Sequence, residues 1–139
     1  MVSARVQGLQ RFRQRIAQAL PDSVKREVVK ANDKSADEFM NTVRRIIPQG
    51  DDEAPELIST LTKRQGDPEY GGLGVIVSIG GPEAPYPLHL EAGHKAPDGS
   101  HVPPKPFWNP AKRVSAKRTN NRAKRAASKA IKALANGGA

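Results

Sequence analysis

The chain has 139 residues, of which 37% are apolar, and a formal net charge of +9. This length fits one domain with a small core. The absence of cysteine excludes disulfide bonds and thiolate metal sites, and no apolar run approaches the roughly 20 residues that cross a bilayer. The N-terminal residues lack the apolar segment of a secretion signal. We therefore expect a soluble protein that is made in the cytoplasm.

The positive charge is concentrated at the C-terminal end. Residues 1–98 hold 13 Lys and Arg against 14 Asp and Glu, whereas residues 99–139 hold 10 basic residues and no acidic one. A segment of this kind attracts a polyanion or an acidic protein surface. Basic tails are more often solvated or partly disordered appendages than specific readers of a ligand.

Apolar residues at helical spacing predict two N-terminal helices. The first runs from about Ser3 to Leu20, and Pro21 separates it from a second helix that ends before Pro48. The polar residues 32–35, in the middle of the second helix, favour a bend. Its apolar stripe consists of Val24, Val28, Ala36, Met40, Val43 and Ile47.

After an acidic loop at residues 51–56, the pattern changes to that of strands. Residues 57–64 are rich in β-forming types, and residues 73–79 have an apolar side chain at every second position, at 73, 75, 77 and 79. Residues 65–72 between them are typical of a turn, so a β-hairpin is predicted. The glycines and prolines of residues 93–106 predict an extended, exposed loop.

A last helix is predicted from Pro110 onward, with the pair Asn120-Asn121 as a point of interruption. Its apolar anchors are Ala111, Val114, Ala123, Ala127, Ile131 and Leu134. The order of elements predicts an α+β fold in which a small antiparallel sheet is packed by the two N-terminal helices. Residues 1–111 would form this domain, and residues 112–139 a basic C-terminal helix or tail.

Catalysis and metal binding have little support in the sequence. His89, His94 and His101 match no common ligand spacing, so we expect them on loops or on the surface. Glu91 and His94 could serve as an acid and a base, but no nucleophile or second carboxylate lies close in sequence. The glycines do not follow a phosphate-binding arrangement. We expect no metal, no cofactor and no enzymatic activity.

The basic segment is the strongest signal for a ligand. Its cations alternate with Ala and Ser, as in linker-histone-like tails, and would neutralise phosphates without reading sequence. No aromatic residue is interleaved, so base stacking is not indicated. The preceding pair Phe107-Trp108 is more typical of an anchor into the core. The candidate contacts to DNA or to an acidic surface are Lys112, Arg113, Lys117, Arg118, Arg122, Lys124, Arg125, Lys129 and Lys132.

Two short blocks resemble a known family. Residues 86–94 contain the element Tyr-x-x-x-x-Glu-x-Gly, and residues 104–111 contain Pro-x-Pro-Phe-x-x-Pro-Ala. Together with Gly-Leu at residues 8–9 and Ile-Ile-Pro at residues 46–48, they are similar to the neck or tail-component proteins of long-tailed bacteriophages and related gene-transfer particles, the gene-product-ten-like family.

The resemblance covers residues 6–115 and excludes the basic tail. Ala92 stands where the family often has an aromatic residue, and His94 where it has a threonine. Residues 55–57, Pro-Glu-Leu, replace the usual Thr-Gly-x-Leu entry to the first strand. These departures bear on specific contacts around the first block more than on the fold.

The resemblance implies a structural virion protein, one subunit of a ring that joins the head connector to the tail, with no chemistry to perform. Its implied partners are further copies of itself, the adjacent head-connector and tail-tube or tail-terminator proteins, and DNA that passes through the channel. It would be found at the head–tail junction of the virion, and in the host cytoplasm during assembly.

The prolines of residues 103–110 indicate a stiffened arm that suits a contact between subunits. Phe107 and Trp108 would be its apolar anchors, so Phe107→Ala should leave a folded monomer that cannot assemble. Glu91 would either cap the arm through backbone amides or pair with a basic residue of the next subunit. The expected interface residues are Tyr86, Glu91, Gly93, Pro104, Pro106, Phe107, Trp108 and Pro110.

Two other functions stay open on the sequence alone. A small DNA-binding protein without sequence specificity would act through its basic tail, lose affinity steeply as salt rises, and lose binding when residues 112–139 are deleted. A hydrolase that uses Glu91 and His94 comes third. In a neck protein the tail would dock on an acidic surface of a neighbouring ring or lie near the DNA path. Docking is favoured, because a strongly cationic channel would retard DNA.

Overall fold

A computed structural model describes residues 18–47, 54–81 and 86–137. Within these ranges the chain is α+β, with four α-helices and two antiparallel two-stranded sheets, as predicted. The helix predicted at Ser3–Leu20 lies outside these ranges except for its last three residues. None of the helices formed by the described residues is long and apolar enough to span a membrane.

The first long helix, α1 (Asp22–Ile46), runs without interruption, so the bend predicted in its polar middle is wrong. The polar side chains there are held by the rest of the chain. Asn32 donates a hydrogen bond to the carbonyl of Leu73 at 2.8 Å, and Asp33 accepts one from Lys63 at 2.8 Å. Most of the predicted apolar stripe is buried, namely Val24, Ala36, Met40, Val43 and Ile47.

The first predicted strand is half wrong. Its beginning belongs to a short helix, α2 (Ala54–Ser59), and only Thr62–Gln65 forms the strand β1. Leu57 and Leu61 are both buried, whereas the intervening Ser59 is exposed. In a strand, Ser59 would face the core together with the leucines, but in a helical turn it points away. Burial of both leucines therefore favours the helical turn.

The second predicted strand is confirmed. Strand β2 (Val75–Ser78) pairs antiparallel with β1, and Thr62 stands opposite Ser78. Val77 and Ile79 pack against the core, as the apolar residues at every second position from 73 to 79 predicted. The hairpin thus places its apolar face against α1.

The segment that was predicted as an extended loop contains a second, smaller hairpin. After the helix α3 (Tyr86–Ala92), the strands β3 (His94–Lys95) and β4 (His101–Val102) pair antiparallel. The carboxylate of Asp98 closes the turn by accepting hydrogen bonds from the amide and the hydroxyl of Ser100. Strands of two residues leave almost no alternation for a sequence pattern to detect.

The last helix, α4 (Trp108–Ala135), is as continuous as α1, and the pair Asn120-Asn121 does not interrupt it. It packs along α1 in the antiparallel direction, with its first turns near the end of α1. The boundary predicted between residues 111 and 112 falls inside this helix. The basic segment is therefore part of the domain and not a solvated appendage.

Two predicted apolar anchors of α4 do not reach the core. Val114 is 75% exposed and Ile131 is 51% exposed, whereas Ala111 and Ala130 are buried. Small side chains fit where two helices approach closely, and these two larger ones remain mostly exposed.

The main core lies where the end of α1, the start of α4 and α2 meet. Phe107 is completely buried at its centre, immediately before the first residue of α4. The buried residues of this cluster are Met40, Val43, Ile47, Leu57, Leu61, Phe107 and Ala111.

Candidate interaction site

The carboxylate of Glu91 joins the two sequence blocks. One oxygen accepts hydrogen bonds from the backbone N–H of Phe107 at 2.9 Å and of Trp108 at 3.0 Å, and the other accepts one from Asn109 at 2.9 Å. These amides belong to the start of α4, where no side chain of the helix itself provides a cap. A carboxylate at this position satisfies free N–H groups and interacts favourably with the helix dipole. The capping predicted for Glu91 is confirmed.

Gly93 brings the arm back against α3. Its φ of +76° lies in the left-handed region, and an added Cβ would stand 2.9 Å from the carbonyl oxygen of Val102 and 3.1 Å from Cδ of Pro104. The amide of Lys105 donates a hydrogen bond to the carbonyl of Leu90 at 2.7 Å. The arm is therefore fixed to its own chain.

Gly93→Ala is expected to lower the free energy of unfolding by about 2 kcal/mol, because it adds a backbone clash to the cost of a positive φ. Gly99→Ala is the matched control: its φ is +86°, but an added Cβ there meets nothing within 4 Å. This control is expected to lose about 1 kcal/mol. Equal losses in urea unfolding would contradict the close approach at Gly93.

Phe107 and Trp108 differ in their surroundings. Phe107 is 0% exposed within its own chain, so its ring is not free to insert into a neighbouring subunit. Trp108 is half-buried and contacts Phe39 edge-to-face, with ring centroids 4.9 Å apart. The prediction that the pair anchors the loop into the core is confirmed for Phe107, and this burial disfavours Phe107 as a contact to another subunit.

The other predicted interface residues lie around this junction. Pro104 and Pro106 are exposed on the arm, and Pro110 is half-buried in the first turn of α4. Tyr86 is the first residue of α3, and its side chain lies outside the described structure. The exposed prolines, and not the buried Phe107, are parts of the arm that a partner can reach.

The electrostatics of Glu91 suit a structural carboxylate. Burial raises the pKa of its carboxyl, but the N–H groups of Phe107, Asn109 and Trp108, with the nearby Arg113, lower the pKa further, to below its ordinary value. A group that transfers protons near neutral pH needs the opposite shift. The pairing of Glu91 with His94 as an acid and a base is thus disfavoured.

The histidines lie close to this junction. The rings of His89 and His94 stack with centroids 5.1 Å apart, and Nδ1 of His94 is buried without a hydrogen-bond partner in the described part of the chain. His101 lies on β4, opposite Lys95. No group of three or more His, Cys, Asp or Glu side chains suited to a metal ion occurs among residues 18–47, 54–81 and 86–137.

All nine candidate basic residues lie on α4, but they do not have the same role. Arg122 faces α1, where it donates hydrogen bonds to Ser35 at 2.8 Å and to Glu38 at 2.7 Å. Its side chain is only 19% exposed, and Arg118 lies 3.7 Å from the other oxygen of Glu38. The two arginines, with the nearby Lys34, outweigh desolvation and hold the pKa of Glu38 below its ordinary value, the bond from Arg122 contributing most. These two cations therefore stabilise the helix pair.

Arg122→Met is expected to destabilise the protein by about 1–2 kcal/mol, because it leaves the buried Ser35 hydroxyl and the Glu38 carboxylate without their partner. Lys124→Met, an exposed position on the same helix, is the control and should change stability by less than about 0.5 kcal/mol. Urea unfolding monitored by circular dichroism compares the two. Equal stability would contradict the inward position of Arg122.

A charged groove of about 1060 Å³ separates the outer edges of α1 and α4. Its α4 wall is basic and includes Lys117, Arg125 and Lys129, while its α1 wall adds Lys30 and Lys34. The cations of α4 were predicted from the sequence, whereas those of α1 were not. The spacing of four between Lys30 and Lys34, which places them on one helix face, is the signal that could have found them.

Comparisons with protein-family models, with curated proteins and with solved structures find no match to this chain.

Proposed function

We propose that this protein is a structural subunit of the neck of a long-tailed bacteriophage, forming a ring that joins the head connector to the tail. The observation that supports this most is the junction at Glu91. The two blocks that carry the family resemblance are separate in sequence, yet the carboxylate of one caps the helix that begins in the other. The motif residues of the two blocks therefore form one connected unit.

This connected unit supplies a surface for neighbours. Pro104 and Pro106 are exposed on an arm whose backbone is bonded to α3 through Lys105. On α3 itself, Leu88 is 72% exposed. Stiff, apolar surface that needs no reordering loses little entropy when it is covered, which favours permanent assembly. The proposed partners are further copies of the chain and the adjacent connector and tail proteins.

Electron microscopy of the purified protein, alone and on assembled particles, tests the proposal. The unaltered chain is expected to form rings or to occupy the head–tail junction. Leu88→Asp should remain folded, because its side chain is exposed, but should assemble poorly. Lys124→Asp, which also introduces an acidic residue at an exposed position, should assemble normally. A chain that is absent from particles and monomeric at every concentration would contradict the proposal.

A DNA-binding protein is the second candidate, since α4 carries nine of the 23 basic residues of the chain. Deleting residues 112–139 is not a usable test, because it removes most of a helix that packs along α1. Charge reversal at exposed positions leaves that packing in place. For this candidate, filter binding to duplex DNA should weaken steeply with salt and with each reversal.

A further inference from the structure

Four cations of the groove between α1 and α4 have no partner among the described residues. Lys30, Lys117, Arg125 and Lys129 line it and form no ion pair or hydrogen bond within the described part of the chain. Most of the neighbouring acids are already paired: Glu38 binds Arg122 and Arg118, and Asp33 and Asp37 bind Lys63 at 2.8 and 2.7 Å. Glu27, which also lines the groove, has no such partner among the described residues, but one carboxylate does not balance four cations. The groove therefore holds positive charge that only a ligand from outside it can neutralise.

The lining of this groove favours a short acidic protein segment over a nucleic acid. Val114, which is 75% exposed, lies in it and offers an apolar contact. The carboxylates of Asp33 and Asp37 stand on the α1 wall, so the positive charge is not continuous across the groove. A phosphate backbone carries uniform negative charge and has no apolar side chain to place on Val114. A peptide with both acidic and apolar residues matches both features.

The chain itself contains such a segment. Between Arg45 and Lys63 the sequence has four acidic residues and no basic one. These acids lie in residues 51–56, where an alanine and a proline interrupt them. Residues 51–56 are therefore opposite in charge to the groove between α1 and α4 of the same chain.

Within one molecule the two parts cannot meet fully. Residues 48–53 connect Ile47 to Ala54, and Ile47 and Leu57 belong to the same buried cluster. Six residues that are joined to fixed points at both ends can reach at most about 12 Å from those points. The groove extends along α1 from Asp37 back to Glu27, which is about 15–30 Å from Ile47. Its far half, with Lys129 and Arg125, must therefore take its ligand from elsewhere.

We infer that the groove between α1 and α4 receives the acidic segment 51–56 of a second copy of this chain. One copy contributes the groove and the next contributes the segment, so the contact is heterologous and can continue from subunit to subunit around a closed ring. The inference rests on the proposed ring and assigns it a specific contact. It also gives the exposed cations of α4 a protein ligand.

The first experiment measures this contact without requiring a ring. A fluorescently labelled synthetic peptide of residues 49–57 is titrated with the full chain, and binding is followed by anisotropy. Saturable binding is expected at low salt, with at least tenfold loss near 0.5 M salt, where charge interactions are screened within about 4 Å. The absence of saturable binding at low salt would overturn the inference.

Matched variants locate the peptide. The groove variant Lys117→Glu/Arg125→Glu/Lys129→Glu is expected to bind it at least tenfold more weakly. The control Lys112→Glu/Lys124→Glu/Lys132→Glu changes the net charge equally at exposed positions that do not line this groove, and should retain binding within about threefold. Equal loss in both variants would show a diffuse charge effect and overturn the assigned site. All variants are first compared by circular dichroism.

Two variants with exchanged charges test whether the acidic segment comes from a second copy of the chain. The chain with Asp51→Lys/Asp52→Lys/Glu53→Lys and the groove variant should each fail to assemble alone. Their mixture should assemble again with the two variants alternating, because the groove of each is opposite in charge to the segment of the other. Rings that persist in both variants would overturn this contact and leave the proposed function intact. A monomeric unaltered chain that still binds the peptide at the groove would contradict the ring but support the groove. Groove-dependent binding of duplex DNA without peptide binding would replace the inferred ligand by a nucleic acid.

Discussion

Replacing Phe107 by alanine is expected to lower the free energy of unfolding by about 3–5 kcal/mol. The ring is 0% exposed and lies among Met40, Val43 and Ile47, so its loss removes apolar burial and leaves a cavity. Stabilities of domains are about 5–15 kcal/mol in total. This one substitution therefore removes a large part of the stability of the fold. Urea unfolding monitored by circular dichroism gives the difference directly.

Val114→Ala is the matched control for this substitution. It removes an apolar side chain from the same helix, but Val114 is 75% exposed, and the change should stay within about 0.5 kcal/mol. The contrast separates two interpretations of Phe107. If it were a contact to another subunit, as the sequence suggested, the monomer would keep its stability. A Phe107→Ala monomer as stable as the Val114→Ala control would restore that interpretation.

Phe107 shows where the sequence was informative and where it was not. Aromatic residues between prolines indicate a fixed apolar anchor, and the structure confirms the anchor. The same pattern does not say whether the cavity that receives the ring belongs to the same chain or to another. That depends on Leu57 and Leu61, which were predicted to lie in a strand and instead pack from a helical turn.

Elements in which apolar residues recur at a regular spacing could be predicted from the sequence. The helical spacing in α1 and the alternation in β2 arise from one buried face on each element, and a short window of sequence contains that signal. The hairpin β3–β4 has strands of only two residues, so no period develops. The bend expected in α1 failed for another reason. Its polar residues are satisfied by Lys63 and by Leu73, about 30 to 40 residues away in sequence.

The roles of the basic residues on α4 depend on contacts between residues that lie even farther apart in the sequence. In sequence, Arg122 and Lys124 are similar cations on either side of Ala123, and Arg122 is the one that contacts Ser35, 87 positions earlier. Composition therefore identified the basic helix but could not divide it into cations that hold the fold and cations that remain free. Ser35 and Glu38, polar residues beside the apolar stripe of α1, were the available sign that a charged partner packs there.

Glu91→Ala is expected to cost about 3 kcal/mol, since it deprives three backbone N–H groups at the start of α4 of a charged acceptor. Glu91→Gln keeps an acceptor oxygen but loses the charge, and should cost about 1–2 kcal/mol. Glu27→Gln is the control, because Glu27 is exposed and forms no hydrogen bond or ion pair within the described residues. In urea unfolding, Glu91→Ala should lose the most stability, Glu91→Gln should lose less, and Glu27→Gln should lose the least. Equal stability of all three would contradict the cap.

The cap at Glu91 should also make stability depend on pH in a defined direction. The pKa of its carboxyl lies below the ordinary 4.5 in the folded chain, so folding favours the ionised form. This contribution is complete above that ordinary pKa and is lost as pH falls through the lowered folded value. The stability difference between the unaltered chain and Glu91→Gln should therefore be constant near neutral pH and shrink in acid. Asp98 and Glu38 also have lowered pKa values, but they are present in both proteins and cancel in the difference. A difference that grows on acidification would mean that the carboxyl binds as a protonated donor, which the three N–H donors around it do not permit.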